Sequence, residues 1–273
     1  MGTEVSPTRL LPSPTRLLPS PTRLLLTPPL SGALNMALDE VLLAGLGQPV
    51  IRVYEWQPHT ITLGYGQRST DLDEQACRRW GLDVTRRLTG GRAVLHGDEL
   101  TYSVIAPPEA LGGVRNISES YNRLCACLIA ALGRAGISVA MSERHGGSSG
   151  HDPACFASAA GGDLCVDGRK LMGSAQCHKL GGVLQHGSLP RTVHDQQIAE
   201  CLQRPPGATI GWTCLRELGV DLTPESFAEH LAAGFEPLLG PIEPVAQPTK
   251  DEWREAEALA ESKYATEAWV RRI

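Results

Sequence analysis

The sequence predicts an α+β domain: a largely antiparallel sheet flanked by helices. Hydrophobic residues make up 42% of the 273 residues and charged residues 20%, the composition of a globular protein with a substantial core. Short apolar runs succeed one another through tight turns, so neighbouring strands are expected to be antiparallel. Helical segments do not alternate regularly with these runs, which separates the pattern from a doubly wound parallel sheet.

The chain opens on a repeat, SPTRLLP at 6–12 and 13–19 and SPTRLLL at 20–26. Its prolines forbid a coiled coil, and residues 1–22 read as an extended or disordered arm outside the fold, leaving 23–273, a length that suits one large domain or two small ones. The arm is poor in acids and contains Arg, Ser and Thr, as organelle transit peptides do. A tandem duplication at the gene start explains it equally well, and it lacks the apolar core of a secretory signal.

From Ser31, SGALNMALDEVLLAG reads as a capped helix with Leu34, Ala37, Leu38, Val41 and Leu42 on one face and Gly45 at its end. VIRVYEW (50–56) and TITLGYG (60–66) read as a hairpin across Gln57-Pro58-His59. Residues 71–80 look helical. LDVTRRL (82–88), AVLH (93–96) and LTYSVIA (100–106) read as strands, with Gly90-Gly91 as a turn. A long helix spans 117–136. DLCVDGRKLMGSAQ (163–176) is a hairpin about Asp167-Gly168, and GGVLQHGSLP (181–190) is a further strand. Helices dominate after residue 195, and the Pro-rich stretch 237–248 reads as a domain edge.

A net charge of −5 argues against a nucleic-acid binder. Arg78, Arg79, Arg86, Arg87 and Arg92 nevertheless cluster, as a docking patch for an acidic carrier or an anion, or as a solvated strand face. The eight cysteines show no structural-zinc spacing, and a chain of this size needs no disulfide staples, so a reducing cytoplasm is the expected compartment. Cys125 and Cys127 cannot share a helix face and read as core residues. No apolar run is long enough to span a membrane.

The chemistry concentrates on Cys155 and Lys170, fifteen residues apart. A free cysteine with a pKa of about 8.5 is mostly thiol at neutral pH, and a lysine ammonium beside it would raise the thiolate fraction. Cys155 sits after a Gly/Ser loop (146–150), Lys170 after a tight turn. Cys165, five residues before Lys170, is the rival nucleophile, but its strand position favours packing. Gly90 and Gly91 permit close backbone approach to a ligand. The small residues Gly173, Ser174 and Ala175 suit either a strand passing an acyl chain or tight strand packing. His96 has two readings, a general base for an incoming amine or a strand-end hydrogen-bonder; so has His186. No GxxxxGK[ST] phosphate loop is present.

RRLTGGRAVLH (86–96), ELTYS (99–103) and the stretch from Cys155 to LQHGS (184–188) together resemble the biotin/lipoate protein ligase superfamily. The nearest resemblance within it is to the octanoyltransferases of lipoate biosynthesis whose cysteine lies upstream of the lysine. SGALNMALDE and KYATEAW (263–269) are similar to that family too, so the resemblance covers about 23–273. It implies a catalytic fold like that of class II aminoacyl-tRNA synthetases. It also implies transfer of octanoyl from octanoyl-acyl carrier protein to a lysine of a lipoyl domain, typically the glycine-cleavage H protein, through an acyl-enzyme thioester. Cys155 would be the nucleophile, and Lys170 would lower its pKa and position the acyl carbonyl. The glycine loop would line the acyl pocket, with Arg87 and His96 at its borders, and no cofactor or metal would be required. Two departures stand out: 157–162 is a run of Ala, Ser and Gly where the family often carries an aromatic, and Asp163 stands where Glu is common. Competing readings are an octanoyl amidotransferase between lipoyl domains, an ATP-dependent lipoate ligase and a non-catalytic paralogue that binds acyl carriers.

Overall fold

The computed structural model describes residues 20–114, 116–142, 162–203 and 211–273. Cys155, the 146–150 loop and most of the repeat arm lie outside the described residues.

The elements in chain order are β1 (Arg23–Leu26), α1 (Gly32–Ala44), β2 (Val50–Tyr54), β3 (Thr60–Leu63), α2 (Glu74–Arg79), β4 (Asp83–Arg86), β5 (Val94–His96) and β6 (Glu99–Ala106). They continue as α3 (Ile117–Arg134), β7 (Ala140–Met141), β8 (Leu164–Val166), β9 (Arg169–Lys179), β10 (Gly182–Pro190), α4 (Asp195–Cys201), α5 (Pro224–Leu239), α6 (Lys250–Leu259) and α7 (Glu267–Val270). Among the described residues the strands form a seven-stranded sheet in the order β1-β2-β6-β10-β9-β8-β7 and a three-stranded sheet, β4-β3-β5.

The alternation of side chains along the large sheet divides the core. Ile51 and Val53 of β2 and Leu100, Tyr102 and Val104 of β6 pack against α3 and α5, joining Leu124, Leu128, Leu231 and Phe235. The opposite face presents Val50, Tyr54, Ile105, Cys177 and Leu184 to α1 and α6. The small sheet encloses a third cluster with α2 and α4, through Ile61, Leu63, Cys77 and Ile198. The expected cap is present on α1, where the Ser31 hydroxyl accepts from the Leu34 amide. The β8–β9 hairpin turns at Asp167 and Gly168, both at positive φ.

Several expectations are corrected. Residues 50–56 and 60–66 do not pair: β2 lies between β1 and β6, whereas β3 lies between β4 and β5 in the other sheet. Neighbouring strands are not all antiparallel, since β1–β2 and β3–β4 are parallel pairs joined by helical crossovers. The Pro-rich stretch is no domain edge. Helix α5 runs through Pro237, and Ile242 and Ala246 bridge to Thr22 and Leu25 along β1. Thr22, at the junction of arm and domain, is buried and donates to the Leu239 carbonyl.

The arginine patch also dissolves. Arg86 is fully buried and donates to the carbonyls of Gly64, Gln67 and Val270. Arg87 is buried as well. Arg78 and Arg79 stay on the surface, beside Glu74 and Glu200. Two of the five arginines are thus internal fasteners for loop carbonyls, which neither a docking face nor a solvated strand requires.

Candidate active site

Lys170 is the second residue of β9 and is fixed from both sides. Its amide donates to the Gly211 carbonyl at 2.9 Å, and its carbonyl accepts from the Thr213 amide at 2.8 Å. Its side chain is fully buried, and Nζ lies 2.9 Å from Asp163 Oδ2. Asp163 precedes β8, and its carbonyl accepts from the Ser142 amide at the end of β7. An isolated buried ammonium would be strongly disfavoured, so Asp163 is what makes a charged lysine tenable at this depth.

The aliphatic end of Lys170 lies over Gly173. A Cβ built on Gly173 would stand 2.8 Å from Cε and 2.9 Å from Nζ. The absence of a side chain there lets the amine lie against the strand that forms one wall of a cleft. That cleft, about 400 Å³ including its open mouth, is lined by Gly173, Ser174, Ala175, Arg87, His96 and His186, together with Met36, Tyr54, Trp56, Thr62, Val94, Thr101, Gly187 and Ser188. Its size and its mixture of apolar walls with a few convergent polar groups are those of a small-ligand site.

The polar wall is one connected network centred on Arg87. Its guanidinium donates to Thr62 Oγ1 at 3.1 Å and to Thr89 Oγ1 at 3.2 Å. The same two hydroxyls meet the histidines: Thr62 Oγ1 lies 2.9 Å from His96 Nε2 and Thr89 Oγ1 2.7 Å from His186 Nε2. A carboxylate faces Nδ1 of each imidazole, which favours an N–H at that nitrogen. His96 Nδ1 lies 2.7 Å from Glu99 Oε1, and Glu99 also accepts from Thr101 and Ser188. His186 Nδ1 faces Asp39 Oδ2 at 3.6 Å. The His96 ring stacks on Trp56 with centroids 3.9 Å apart. Both nitrogens of His96 have partners within the wall, while the ring itself lines the cleft.

Asp39 anchors the other end. Burial alone would raise its pKa, but the His186 contact and the buried Arg52 guanidinium, 2.9 Å away, outweigh it and hold it below the usual carboxylate range. Burial pushes His186 below the usual histidine range, although Asp39 pulls the other way.

The candidate residues do not all share the cleft. Gly90 and Gly91 are exposed and are not among its lining residues. Gly91 has φ +90°, and its carbonyl lies so close to Gly64 that a Cβ there would overlap it. The Gly90 and Arg92 carbonyls accept from Arg87. The loop's contact with the cleft therefore runs through Arg87. Cys155 lies outside the described residues. Sequence reasoning missed Asp163, Glu99 and Asp39 as partners; an acid seven residues before a candidate lysine, across a two-residue hairpin turn, was the available signal for the first.

The other described thiols are poorly suited to attack. Burial pushes Cys125 up to about 12 and Cys127 and Cys177 up to about 11. Burial and the neighbouring Asp163 raise Cys165 too, against a smaller opposing pull from Lys170. Cys201 is the exception: its hydrogen bond with Cys77 lowers it, within a buried thiol pair on the α2–α4 side of the small sheet.

Residues 31–236 match the family of lipoyl protein ligase A/B catalytic domains. The chain is 35% identical over 264 residues to octanoyltransferase LipM of Exiguobacterium sibiricum, covering 89% of this chain and 95% of that protein. It is 44% identical over 184 residues to octanoyltransferase LipM of Moorella thermoacetica, covering 64% and 66%. A putative lipoate protein ligase of T. acidophilum with bound lipoic acid has the same fold, with a TM-score of 0.74, 22% identity, and 92% of this chain and 100% of that one covered. The chain therefore belongs to the lipoyl protein ligase A/B catalytic domain family and, within it, to the octanoyltransferases of lipoate biosynthesis. No helix among the described residues is long and apolar enough to cross a membrane.

Proposed function

We propose that this octanoyltransferase takes its acyl group from octanoyl-acyl carrier protein and delivers it to a lysine of a lipoyl domain, typically the glycine-cleavage H protein, through a thioester on Cys155. The observation that carries this reading is the buried Lys170–Asp163 pair lying against Gly173 in the wall of the cleft. An ammonium held there stabilises a neighbouring thiolate. It also donates to the thioester carbonyl oxygen as that atom becomes an oxyanion.

In the first half-reaction the Cys155 thiolate attacks the donor carbonyl, and the carrier thiolate leaves and takes a proton. In the second, the neutral amine of the acceptor lysine attacks the acyl-enzyme. Cys155 departs as thiolate beside Lys170, and the amine proton passes to solvent. Exchange of thioester for amide is downhill, so the cycle needs no nucleotide, metal or cofactor. Gly173, Ser174 and Ala175 form the wall along the acyl chain, Arg87 and His96 hold the opposite polar wall, and Gly90 and Gly91 shape it through Arg87. The high pKa values of Cys125, Cys127, Cys165 and Cys177 favour Cys155 as the nucleophile. The described cysteines are all free thiols, which suits a reducing cytoplasm.

The test is intact-protein mass spectrometry after incubation with octanoyl-carrier protein or octanoylated H protein, with and without ATP. The proposal expects ATP-independent acylation from the carrier, absent in Cys155→Ala. Acylation from octanoylated H protein alone would identify an amidotransferase, and ATP-dependent lipoylation by Cys155→Ala a ligase.

A further inference from the structure

Beyond the cleft, the described surface gathers positive charge in one unusual way. Lys179 Nζ lies 3.4 Å from the centroid of the Tyr65 ring, and Arg272 Cζ lies 4.0 Å from the same centroid. Exposed arginines elsewhere, such as Arg78, Arg169 and Arg271, sit beside glutamates. Lys179 and Arg272 have no carboxylate partner among the described residues. Two cations are gathered on one half-buried aromatic and left electrostatically unanswered. Arg272 is also anchored, because Ser69 donates from both its amide and its hydroxyl to the oxygen of Ile273, each at 2.9 Å.

The cluster is tied to the active site. Lys179 lies on the same face of β9 as Gly173 and Ala175, by the two-residue alternation of a strand whose pairing with β10 is regular from Gly173 to Lys179. Tyr65 follows Gly64, which packs on Gly91, and its amide donates to the carbonyl of Thr89, whose hydroxyl bonds His186 in the cleft wall. Six strand residues place Lys179 about 20 Å from Gly173. We propose that Tyr65, Lys179 and Arg272 form the landing surface for an acidic face of the acyl-donating carrier protein.

This rests on the carrier donor assigned above and adds where that donor sits. The net charge of the chain is −5, so an acidic partner is repelled by the molecule at large and drawn to cations such as Lys179 and Arg272, gathered on one aromatic and in no ion pair among the described residues. A donor that carries its thioester on a long flexible arm can land about 20 Å from Gly173 and still deliver the acyl group. An acceptor that offers only a lysine side chain must sit at the cleft mouth itself. The assignment to the donor half-reaction follows from that difference in reach.

The experiment compares wild type with the charge-reversed double variant Lys179→Glu/Arg272→Glu in three single-turnover assays. These are acylation by octanoyl-carrier protein, acylation by octanoyl-pantetheine, and transfer from preformed octanoyl-enzyme to a lipoyl domain. Carrier acylation should lose at least ~10-fold in kcat/KM through KM. Wild type should slow with added salt, and that slowing should vanish in the variant. The other two assays should stay within about twofold. An unchanged carrier rate, an equal loss with octanoyl-pantetheine, or a loss confined to the lipoyl-domain step would each overturn the proposal. If neither donor acylates the wild-type enzyme, it is the thioester mechanism that fails, not the surface.

Discussion

Adding one methyl group at Gly173 should silence the enzyme while leaving it folded. In Gly173→Ala the new Cβ would stand 2.8 Å from Cε and 2.9 Å from Nζ of Lys170. Comfortable carbon contacts lie at about 3.5–4.0 Å, so the two groups must part by roughly 1 Å. The backbone at 173 is ordinary strand, and the atoms met belong to the end of a flexible side chain, so the lysine is what yields. Overpacking of this kind costs about 1–3 kcal/mol, and relief by the lysine puts the variant near the lower figure. For a domain of this size that is a fall in Tm of roughly 2–4 °C. The chemistry has no such relief. The Lys170 amine is 2.9 Å from Asp163, and a shift of about 1 Å both breaks that pair and misplaces the ammonium that the thiolate and oxyanion need. Such misplacement costs about 10²-fold, or about 2.7 kcal/mol of transition-state stabilisation. Quench-flow acylation by octanoyl-carrier protein, read by intact mass, measures the rate, and calorimetry measures Tm. An acylation rate within about twofold of wild type would refute the role given to Lys170 at this position.

Three further outcomes follow from the same geometry. Asp163→Asn leaves Lys170 without its buried carboxylate. It should cost about 3–5 kcal/mol in denaturant unfolding and at least ~10-fold in acylation, with Asp163→Glu partly restoring both. Cys165→Ala should acylate at close to the wild-type rate whereas Cys155→Ala should not acylate at all, as peptide mapping of the adduct would show. His186, buried and held below its ordinary range, should make stability depend on pH. Unfolded histidine takes up a proton near 6.5 and the folded residue only at lower pH, so stability is whole above about 6.5 and declines as pH falls through that value. Thermal melts from about pH 7.5 to 5.5 should show the decline, and His186→Gln should flatten part of it.

Much of the fold could be read locally. The Ser31 cap, the α1 face, the Asp167-Gly168 turn and the strand carrying Lys170 to Ala175 each depend on near neighbours, and each stands as the pattern indicates. The pairing of 50–56 with 60–66 could not be read that way. All five residues of β2 and all four of β3 are buried, and both edges of each strand are taken by partners distant in sequence. The turn between them, however short, therefore does not choose the partner. The site divides along the same line. Small residues at 173–175 and a lysine before them are visible as a run. The acids that hold the site, Asp163 for Lys170, Glu99 for His96 and Asp39 for His186, look like ordinary surface carboxylates until long-range packing buries them. Arg86 and Arg87 mislead for the same reason, because five arginines close together look like a surface until two of them are found bonded to interior carbonyls and hydroxyls.

The central claim is that the Lys170 ammonium activates the Cys155 thiol. The rate of Cys155 alkylation by iodoacetamide as a function of pH, followed by peptide mass spectrometry in wild type and in Lys170→Gln, measures this most directly. The account predicts a wild-type midpoint below the ordinary free-thiol range and a clear upward move in the variant. Identical midpoints in the two proteins would contradict it.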